Sequence, residues 1–171
     1  MTLRNAVRAL LTTLLVTLTL VGTQTTAGAA PTPTPVPTQV TVLTYDASGS
    51  AELTDAVHSG AAVWNESVTS VRLEPAAPGA DANITIVADD GWPRALTTSL
   101  GNGIVWMGRQ AVDDGYDTIR IAAHELGHIL GLPDIKPGPC SSLMSGSTGG
   151  VDCTNRYPDA AERADVEAAF S

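Results

Sequence analysis

The chain of 171 residues is poor in positive charge: 9 lysine and arginine residues stand against 18 acidic ones, for a formal net charge of −9. Two of the basic residues, Arg4 and Arg8, precede residue 30, whereas no acidic residue precedes Asp46. The part of the chain that follows is therefore more acidic still. A surface of this sign repels phosphate groups, which argues against nucleic acid and anionic membrane surfaces as partners.

Long apolar runs are also scarce. The run from Ala9 to Gly22 is too short and too rich in threonine to span a membrane. It follows two arginines and precedes the small residues Ala27-Gly28-Ala29, which is the arrangement of a secretory signal peptide with its cleavage site. We predict a signal peptide over residues 1–29 and a Pro/Thr-rich linker or short pro-segment over residues 30–38. The mature protein is then expected to be secreted and extracellular, with no membrane contact.

Internal repeats and signs of a second domain are missing from the remainder. Residues 39–171 are enough for one domain with a modest core. We therefore expect a single domain over residues 39–171, acting as a monomer.

Cysteine is nearly absent, with Cys140 and Cys153 as the two examples. Export to an oxidising compartment favours a disulfide between them, which would close a short loop around Met144. Such a loop is worth about 3 kcal/mol in the chain-entropy model. Two zinc-binding thiolates are the alternative, although the spacing is not that of a zinc knuckle.

One segment carries the pattern His-Glu-x-x-His. On a helix, His124 and His128 lie one turn apart on the same face, where two imidazoles can bind one Zn²⁺. Glu125 lies beside them and can reach a water molecule held there. Gly131 can end the helix, after which the chain turns back and offers Asp134 as a third ligand. Three protein ligands leave a fourth position for water, which is typical of a catalytic zinc.

Downstream of the motif, Ser142-Leu143-Met144-Ser145 can form a turn beneath the metal, within the segment Gly138-Pro-Cys-Ser-Ser-Leu-Met-Ser-Gly146. Motif and turn together resemble the metzincin pattern His-Glu-x-x-His-x-x-Gly-x-x-His with its Met-turn, except that aspartate replaces the third histidine. This variant resembles the snapalysin family of small secreted zinc metalloendopeptidases from actinomycetes. The resemblance runs from about Gly115 to Phe170.

The resemblance implies hydrolysis of peptide bonds in extracellular proteins, with a hydrophobic or aromatic residue after the scissile bond. It implies a disulfide at the two cysteines and a structural calcium near the start of the motif helix, where Asp117 matches in type. Glu125 would act as the base that activates the water. A cleft lined by Leu143 and Met144 would also favour an apolar residue after the cut.

The predicted strands and helices indicate an α/β (α+β) domain, and the resemblance implies that it is metzincin-like. We expect a twisted mixed sheet of about four strands with an active-site helix, a backing helix and a C-terminal helix. Ser50 is the predicted N-cap of the backing helix, Asp117 that of the active-site helix, and Asp159 starts a capping box with Glu162. The predicted strands cover residues 39–45, 71–74, 82–88 and 103–108, the backing helix covers residues 50–65, and residues 92–102 are irregular.

The sequence alone leaves some roles open. The strand over residues 103–108 is either an edge strand that binds substrate or an ordinary core strand. Many metzincins place a tyrosine near the metal, and this chain has none between Ile129 and Arg156. Lys136 is the nearest cation, although we expect it to be a solvated loop residue. The alternative functions are a zinc hydrolase of cell-wall peptides and a secreted zinc-binding or adhesion module, in which Glu125 would have no task.

Overall fold

The structure is a computed structural model that describes residues 39–171. The predicted signal peptide over residues 1–29 and the linker over residues 30–38 lie outside the described residues. Within the described part, every helix is too short or too polar to cross a membrane.

A mixed sheet of five strands forms the centre of the domain. The strands are β1 (Thr41–Gly49), β2 (Val71–Pro75), β3 (Ile84–Asp89), β4 (Arg94–Ser99) and β5 (Asn102–Gly108). In the order β2-β1-β3-β5-β4, the first four strands run parallel to one another, and β4 is antiparallel to β5. The predicted α/β architecture with a twisted mixed sheet is confirmed, with one strand more than expected.

One strand prediction was wrong, and one alternative that the sequence left open is decided. Residues 94–99 form β4, within a segment that was expected to be irregular. The strand β5 lies between β3 and β4, so it is an inner strand, and β4 is the edge strand on that side. Five of the six residues of β4 are exposed, so the strand lacks the alternation of buried and exposed residues by which a half-buried strand is recognised.

Four α-helices accompany the sheet in the described residues. Ser50 was predicted to cap the backing helix, but its hydroxyl donates to the carbonyl of Ala47, and a short 3₁₀ turn over Ala51–Leu53 precedes the helix. The capping box of Asp159 and Glu162 is confirmed. The helices are α1 (Thr54–Ser67), α2 (Arg109–Asp113), α3 (Thr118–Ile129) and α4 (Ala160–Ala169).

The core lies between one face of the sheet and the helices α1 and α3. Alternate residues of the inner strands are buried, which shows that one face of the sheet is covered. Trp64 of α1 is completely buried, and its indole N–H donates to the carbonyl of Ala123 in α3 at 2.8 Å. The core members from the strands are Leu43, Tyr45, Ala47, Val71, Leu73, Ile84, Ile86, Val105 and Met107.

The two long helices meet at Gly60. A Cβ at this position would lie 2.7 Å from the Cβ of Ala122 and 2.8 Å from the backbone nitrogen of Ala123. Only a residue without a side chain lets α1 approach α3 this closely. This close contact fixes the height of α3 above the sheet, and α3 carries the motif.

Candidate metal centre and substrate cleft

Local sequence sets both ends of helix α3. Asp117 caps the helix, as predicted, and its Oδ1 accepts a hydrogen bond from the backbone N–H of Arg120 at 2.8 Å. At the other end Gly131 adopts a φ of +98°, and its N–H donates to the carbonyl of His128. The left-handed glycine turns the chain back toward the helix, as the sequence predicts.

The two histidines of α3 are oriented by backbone carbonyls. The Nδ1 atom of His124 lies 3.0 Å from the carbonyl oxygen of Leu143, and that of His128 lies 2.8 Å from the carbonyl oxygen of Leu132. A carbonyl oxygen can only accept, so each Nδ1 carries the hydrogen, and a neutral ring then presents a lone pair at Nε2. Burial lowers the pKa of His124 to about 4, which keeps this ring neutral. Both rings are thus in the tautomer that ligates a metal through Nε2.

Asp134 lies opposite these nitrogens. Its Oδ1 is 3.3 Å from Nε2 of His124 and 3.6 Å from Nε2 of His128. With neutral imidazoles no proton lies between these atoms, so three electron-pair donors face one another, an arrangement that a metal cation stabilises. Ligands at about 2.0–2.1 Å in a tetrahedron are separated by about 3.4 Å, close to the distances observed here. The donor set fits a metal ion of zinc type.

Glu125 is a second carboxylate close to the same two histidines. One of its carboxylate oxygens and one ring nitrogen each of His124 and His128 all lie within 4.8 Å of one another. The side chain is 5% exposed, and its Oε2 has no hydrogen-bond partner in the described part of the chain. Burial raises the pKa of Glu125 to about 8. A buried carboxylate with a free oxygen is suited to accept a proton from a molecule held beside the histidines.

The turn beneath the motif covers residues Leu143–Gly149 and bends at Gly146. Met144 is fully buried under α3, and a Cβ at Gly127 of the helix would lie 2.8 Å from its sulfur. The carbonyl of Met144 accepts the backbone N–H of Ile135 at 2.8 Å, which fixes the chain next to Asp134. The prediction that Leu143 and Met144 line the cleft was wrong, because both are completely buried. They support the site from below.

Sequence analysis missed two charged residues that hold this turn. Glu162 of α4 is 1% exposed, and its carboxylate accepts hydrogen bonds from the backbone N–H groups of Leu143 and Met144. Arg120 of α3 is 4% exposed and donates to the carbonyl of Ser142 at 2.8 Å. Arg120 lies one turn before His124 on the same face of the helix, and this spacing was a usable signal for Arg120. The sequence gave no such signal for Glu162, because the capping box with Asp159 already explains a glutamate at this position.

The disulfide between Cys140 and Cys153 is confirmed, with the two Cα atoms 5.5 Å apart. It brackets the turn that contains Met144, as expected. The cysteines are therefore not zinc ligands.

Asp117 was also expected to bind calcium, and the structure gives no support to that site. Its carboxylate accepts three hydrogen bonds from Arg156, two at 3.0 Å from Nε and one at 2.7 Å from Nη2, in addition to the N–H of Arg120. Burial acts to raise the pKa of Asp117, but the hydrogen bonds from Arg156 and the backbone outweigh it and hold the pKa below its usual range. A guanidinium thus supplies the positive charge next to this carboxylate.

A cavity of about 590 Å³ runs along α3, between β4 on one side and the segments 131–136 and 146–147 on the other. Glu125 and the three candidate ligands line its middle. Trp92 and Tyr116, in edge-to-face contact at 5.7 Å, form one end together with apolar residues of α2 and α3. The apolar lining at this end comes from Pro93, Ala111 and Ile121.

Comparison with known proteins agrees with this geometry. Residues 39–171 match the model of the Streptomyces extracellular neutral proteinase (M7) family. Relatives named "Extracellular small neutral protease" include one from Streptomyces caespitosus, 42% identical over 129 residues, which are 75% of this chain and 96% of the relative. Another, from Streptomyces sp. (strain C5), is 40% identical over 129 residues, again 75% of this chain.

A third relative of the same name, from Streptomyces coelicolor, is 41% identical over 128 residues, or 73% of this chain. The matched region spans somewhat more than half of two of these relatives, 56% of the strain C5 protein and 57% of the Streptomyces coelicolor protein. The family match covers most of the chain, from residue 39 to residue 171, so the protein belongs to the M7 family.

Proposed function

We propose that this member of the M7 family is a secreted zinc-dependent metalloendopeptidase that hydrolyses peptide bonds of extracellular proteins. One observation carries the proposal: in a single cavity, three electron-pair donors face one another beside a buried carboxylate with a free oxygen. The extracellular names of the relatives and the signal sequence predicted over residues 1–29 support export.

His124, His128 and Asp134 would hold the metal. Two imidazoles and one carboxylate are a donor set suited to zinc, and three protein ligands are typical of catalytic zinc sites. Bound there, zinc would lower the pKa of a water molecule and polarise the scissile carbonyl. The carbonyls of Leu143 and Leu132 keep both rings in the ligating tautomer throughout.

Glu125 moves the proton. Its carboxylate takes a proton from the attacking water and later delivers it to the nitrogen of the leaving amine. Burial, which raises the pKa of Glu125, makes this carboxylate a stronger base than an exposed one. Its low exposure also keeps bulk water from competing for the proton.

Strand β4 would bind the substrate backbone. It is the last strand of the sheet, and no other strand in residues 39–171 pairs with its outer edge. An extended peptide can add to such an edge by backbone hydrogen bonds. Because the cavity lies between β4 and α3, a peptide on this edge would pass directly over Glu125.

The aromatic end of the cavity supports a preference for a hydrophobic or aromatic residue after the scissile bond. Trp92, Tyr116 and Ile121 offer apolar surface there, next to the first half of α3. An aromatic side chain could pack against the rings of Trp92 and Tyr116. Fluorogenic peptides that differ only at this position test the preference: we expect phenylalanine to be cleaved at least tenfold faster than aspartate.

The test of the proposed function compares the exported protein with its Glu125→Gln variant, both loaded with zinc. We expect the parent to cleave casein and the variant to be at least about a thousandfold slower, with one zinc bound to each by mass spectrometry. Glu74→Gln is the matched control, because Glu74 is exposed at the end of β2. If the parent binds zinc but cleaves neither casein nor short peptides, the peptidase proposal is wrong. Sedimentation of the same samples tests the expected monomer.

A further inference from the structure

Lys136 is the only lysine in the 171 residues, since the other eight basic residues are arginines. It lies two positions after Asp134, and its side chain lines the cavity at the metal site. A lysine ammonium is a compact point charge, whereas a guanidinium is a broad planar fork. The single compact cation of the chain is thus located where the proposed reaction develops negative charge.

The ammonium of Lys136 lies against the candidate ligand set. Its Nζ is 3.0 Å from Oδ1 of Asp134, the same oxygen that is 3.3 Å from Nε2 of His124. At this distance the electrostatic interaction of the ammonium with the ligand set is strong, and water screens it only partly because the side chain of Lys136 is 36% exposed.

The stem of Lys136 packs beside a candidate ligand, although the residue is exposed. A Cβ at Gly146 would lie 2.8 Å from Cε of Lys136 and 3.1 Å from Cε1 of His124, so the bare glycine backbone lets the lysine stem lie beside the histidine ring. Gly146 has a φ of +53°, which a residue with a side chain rarely adopts. Lys136 is an exposed loop residue, as expected, but its stem lies beside the ring of His124.

Two hydrogen bonds hold the segment that carries Lys136. The N–H of Ile135 donates to the carbonyl of Met144 at 2.8 Å, and the N–H of Gly138 donates to the hydroxyl of Thr148 at 3.0 Å. Both partners belong to the turn beneath α3. The lysine is therefore positioned by the same turn that positions His124.

We propose that Lys136 is a catalytic residue whose ammonium donates a hydrogen bond to the oxyanion of the tetrahedral intermediate. This inference rests on the proposed function. As the water oxygen bonds to the carbonyl carbon, one proton of the water passes to Glu125. The π electrons of the carbonyl move onto its oxygen, and the ammonium of Lys136 donates a hydrogen bond to the oxyanion that forms. When the carbonyl re-forms and the C–N bond breaks, Glu125 returns the proton to the amine. Lys136 keeps all its protons throughout.

A cation at this site offsets the negative charge of Asp134. Asp134 brings a negative charge to the ligand set, which weakens the positive field that a substrate carbonyl would experience. Lys136 restores one positive charge at a distance of 3.0 Å from that carboxylate. A preorganised donor at a developing oxyanion is worth about 10²–10³ in kcat in other enzymes.

The kinetic test uses Lys136→Gln, Lys136→Arg and the control Arg72→Gln, which removes one exposed positive charge from β2. We expect kcat of Lys136→Gln to fall about a hundredfold, while KM and the zinc content stay within about threefold. Lys136→Arg should recover part of kcat, and Arg72→Gln should match the parent. A changed KM with an unchanged kcat would assign Lys136 to substrate binding and overturn the proposal.

A binding test needs no turnover. A phosphinic peptide carries an anionic tetrahedral centre, so its affinity should fall in Lys136→Gln by the same factor as kcat/KM, while that of a product peptide should not. Reductive methylation with ¹³C-formaldehyde gives the parent one labelled side chain, because Lys136 is the only lysine. We expect its NMR signal to shift when the phosphinic peptide binds and not when the product peptide binds.

The outcomes separate the two proposals. If the parent cleaves casein and Lys136→Gln cleaves it equally well, only the role of Lys136 is wrong. An equal affinity of both proteins for the phosphinic peptide overturns that role as well. If the zinc-loaded parent has no peptidase activity at all, the proposed function and the role of Lys136 fail together.

Discussion

The carboxylate of Glu162 accepts the backbone N–H of Met144 at 2.8 Å, although the two residues belong to different elements of the chain. The same carboxylate accepts the N–H of Leu143, the hydroxyl of Ser142 and the N–H of Asp159. One buried charge thus joins the start of α4 to the turn under the metal site. Four donors compensate for its removal from water.

Glu162→Gln should therefore destabilise the protein. The new amide places an NH₂ group where a carboxylate oxygen accepted hydrogen bonds, so at least two buried donors lose their partner. We expect a loss of about 3 kcal/mol in urea unfolding and weaker zinc binding. Asp165→Asn, an exposed change on the same helix, is the control and should stay within about 0.5 kcal/mol. Equal stability of Glu162→Gln and parent would contradict this role.

The buried carboxylate of Glu125 should make the chelator-treated protein less stable as the pH rises. Burial raises the pKa of Glu125 from 4.5 to about 8 in the folded protein, so the folded state binds a proton more tightly than the unfolded state does. Stability is then present below pH 4.5 and is lost between pH 4.5 and 8. Glu125→Gln removes the ionisation, and we expect it to be more stable than the parent by about 3 kcal/mol at pH 8.

Thermal unfolding of both chelator-treated proteins at several pH values measures this effect. The two curves should converge toward pH 5 and separate toward pH 8, whereas Glu74→Gln should follow the parent at every pH. A constant difference between Glu125→Gln and parent would show that the ionisation of Glu125 is not the cause.

Gly60→Ala should loosen the contact between α1 and α3. Alanine is favoured over glycine in a helix by about 1 kcal/mol, but here its Cβ would lie 2.7 Å from the Cβ of Ala122. The neighbouring atoms belong to a helix backbone and cannot rotate away. We expect a net loss of about 2 kcal/mol by urea unfolding. Ala62→Ser, which is exposed on α1, should have little effect, and a stabilised Gly60→Ala would refute the close approach.

Arg156→Gln should reduce stability at neutral pH and leave it unchanged in acid. Arg156 donates to both oxygens of Asp117 and helps to hold the pKa of that carboxyl below its usual range. The stabilisation is present above pH 3.8, the ordinary pKa, and is lost as the pH falls through the lower pKa of the folded state. We expect a cost of about 1 kcal/mol at pH 7 that shrinks as the pH falls below 3.8.

Unfolding by urea between pH 2 and pH 7 is the measurement for this pair. The control is Arg72→Gln, whose partner Glu74 forms an exposed pair, with side-chain exposures of 59% and 49%. Screening by water should leave that change without measurable cost at any pH. A pH-independent cost of Arg156→Gln would mean that its packing, and not its charge, stabilises the start of α3.

Sequence predicted the parts of the site that are set locally. The helix with His124 and His128, its cap at Asp117 and its end at Gly131 each follow from residues within a few positions. The disulfide followed from the presence of only two cysteines in an exported chain. The ligand role of Asp134 remains a prediction, which the distances to the two imidazoles support.

The parts set by distant contacts were missed. Strand β4 consists mainly of exposed residues, and its pairing with β5 comes from backbone groups that every sequence has. Glu162 reaches the turn around Met144 across the fold, and no local pattern encodes that contact. Leu143 was assigned to the cleft because the order of residues does not tell which side of the turn faces α3.

The contact between Glu162 and the turn also imposes an order in time. The ribosome makes His124, His128 and Asp134 before it makes Glu162, so a growing chain has all candidate ligands but lacks the carboxylate that holds the turn beneath them. Export passes the chain in the same direction. We therefore expect the site to be assembled last, after α4 has formed, so that an unfinished chain cannot cut its neighbours.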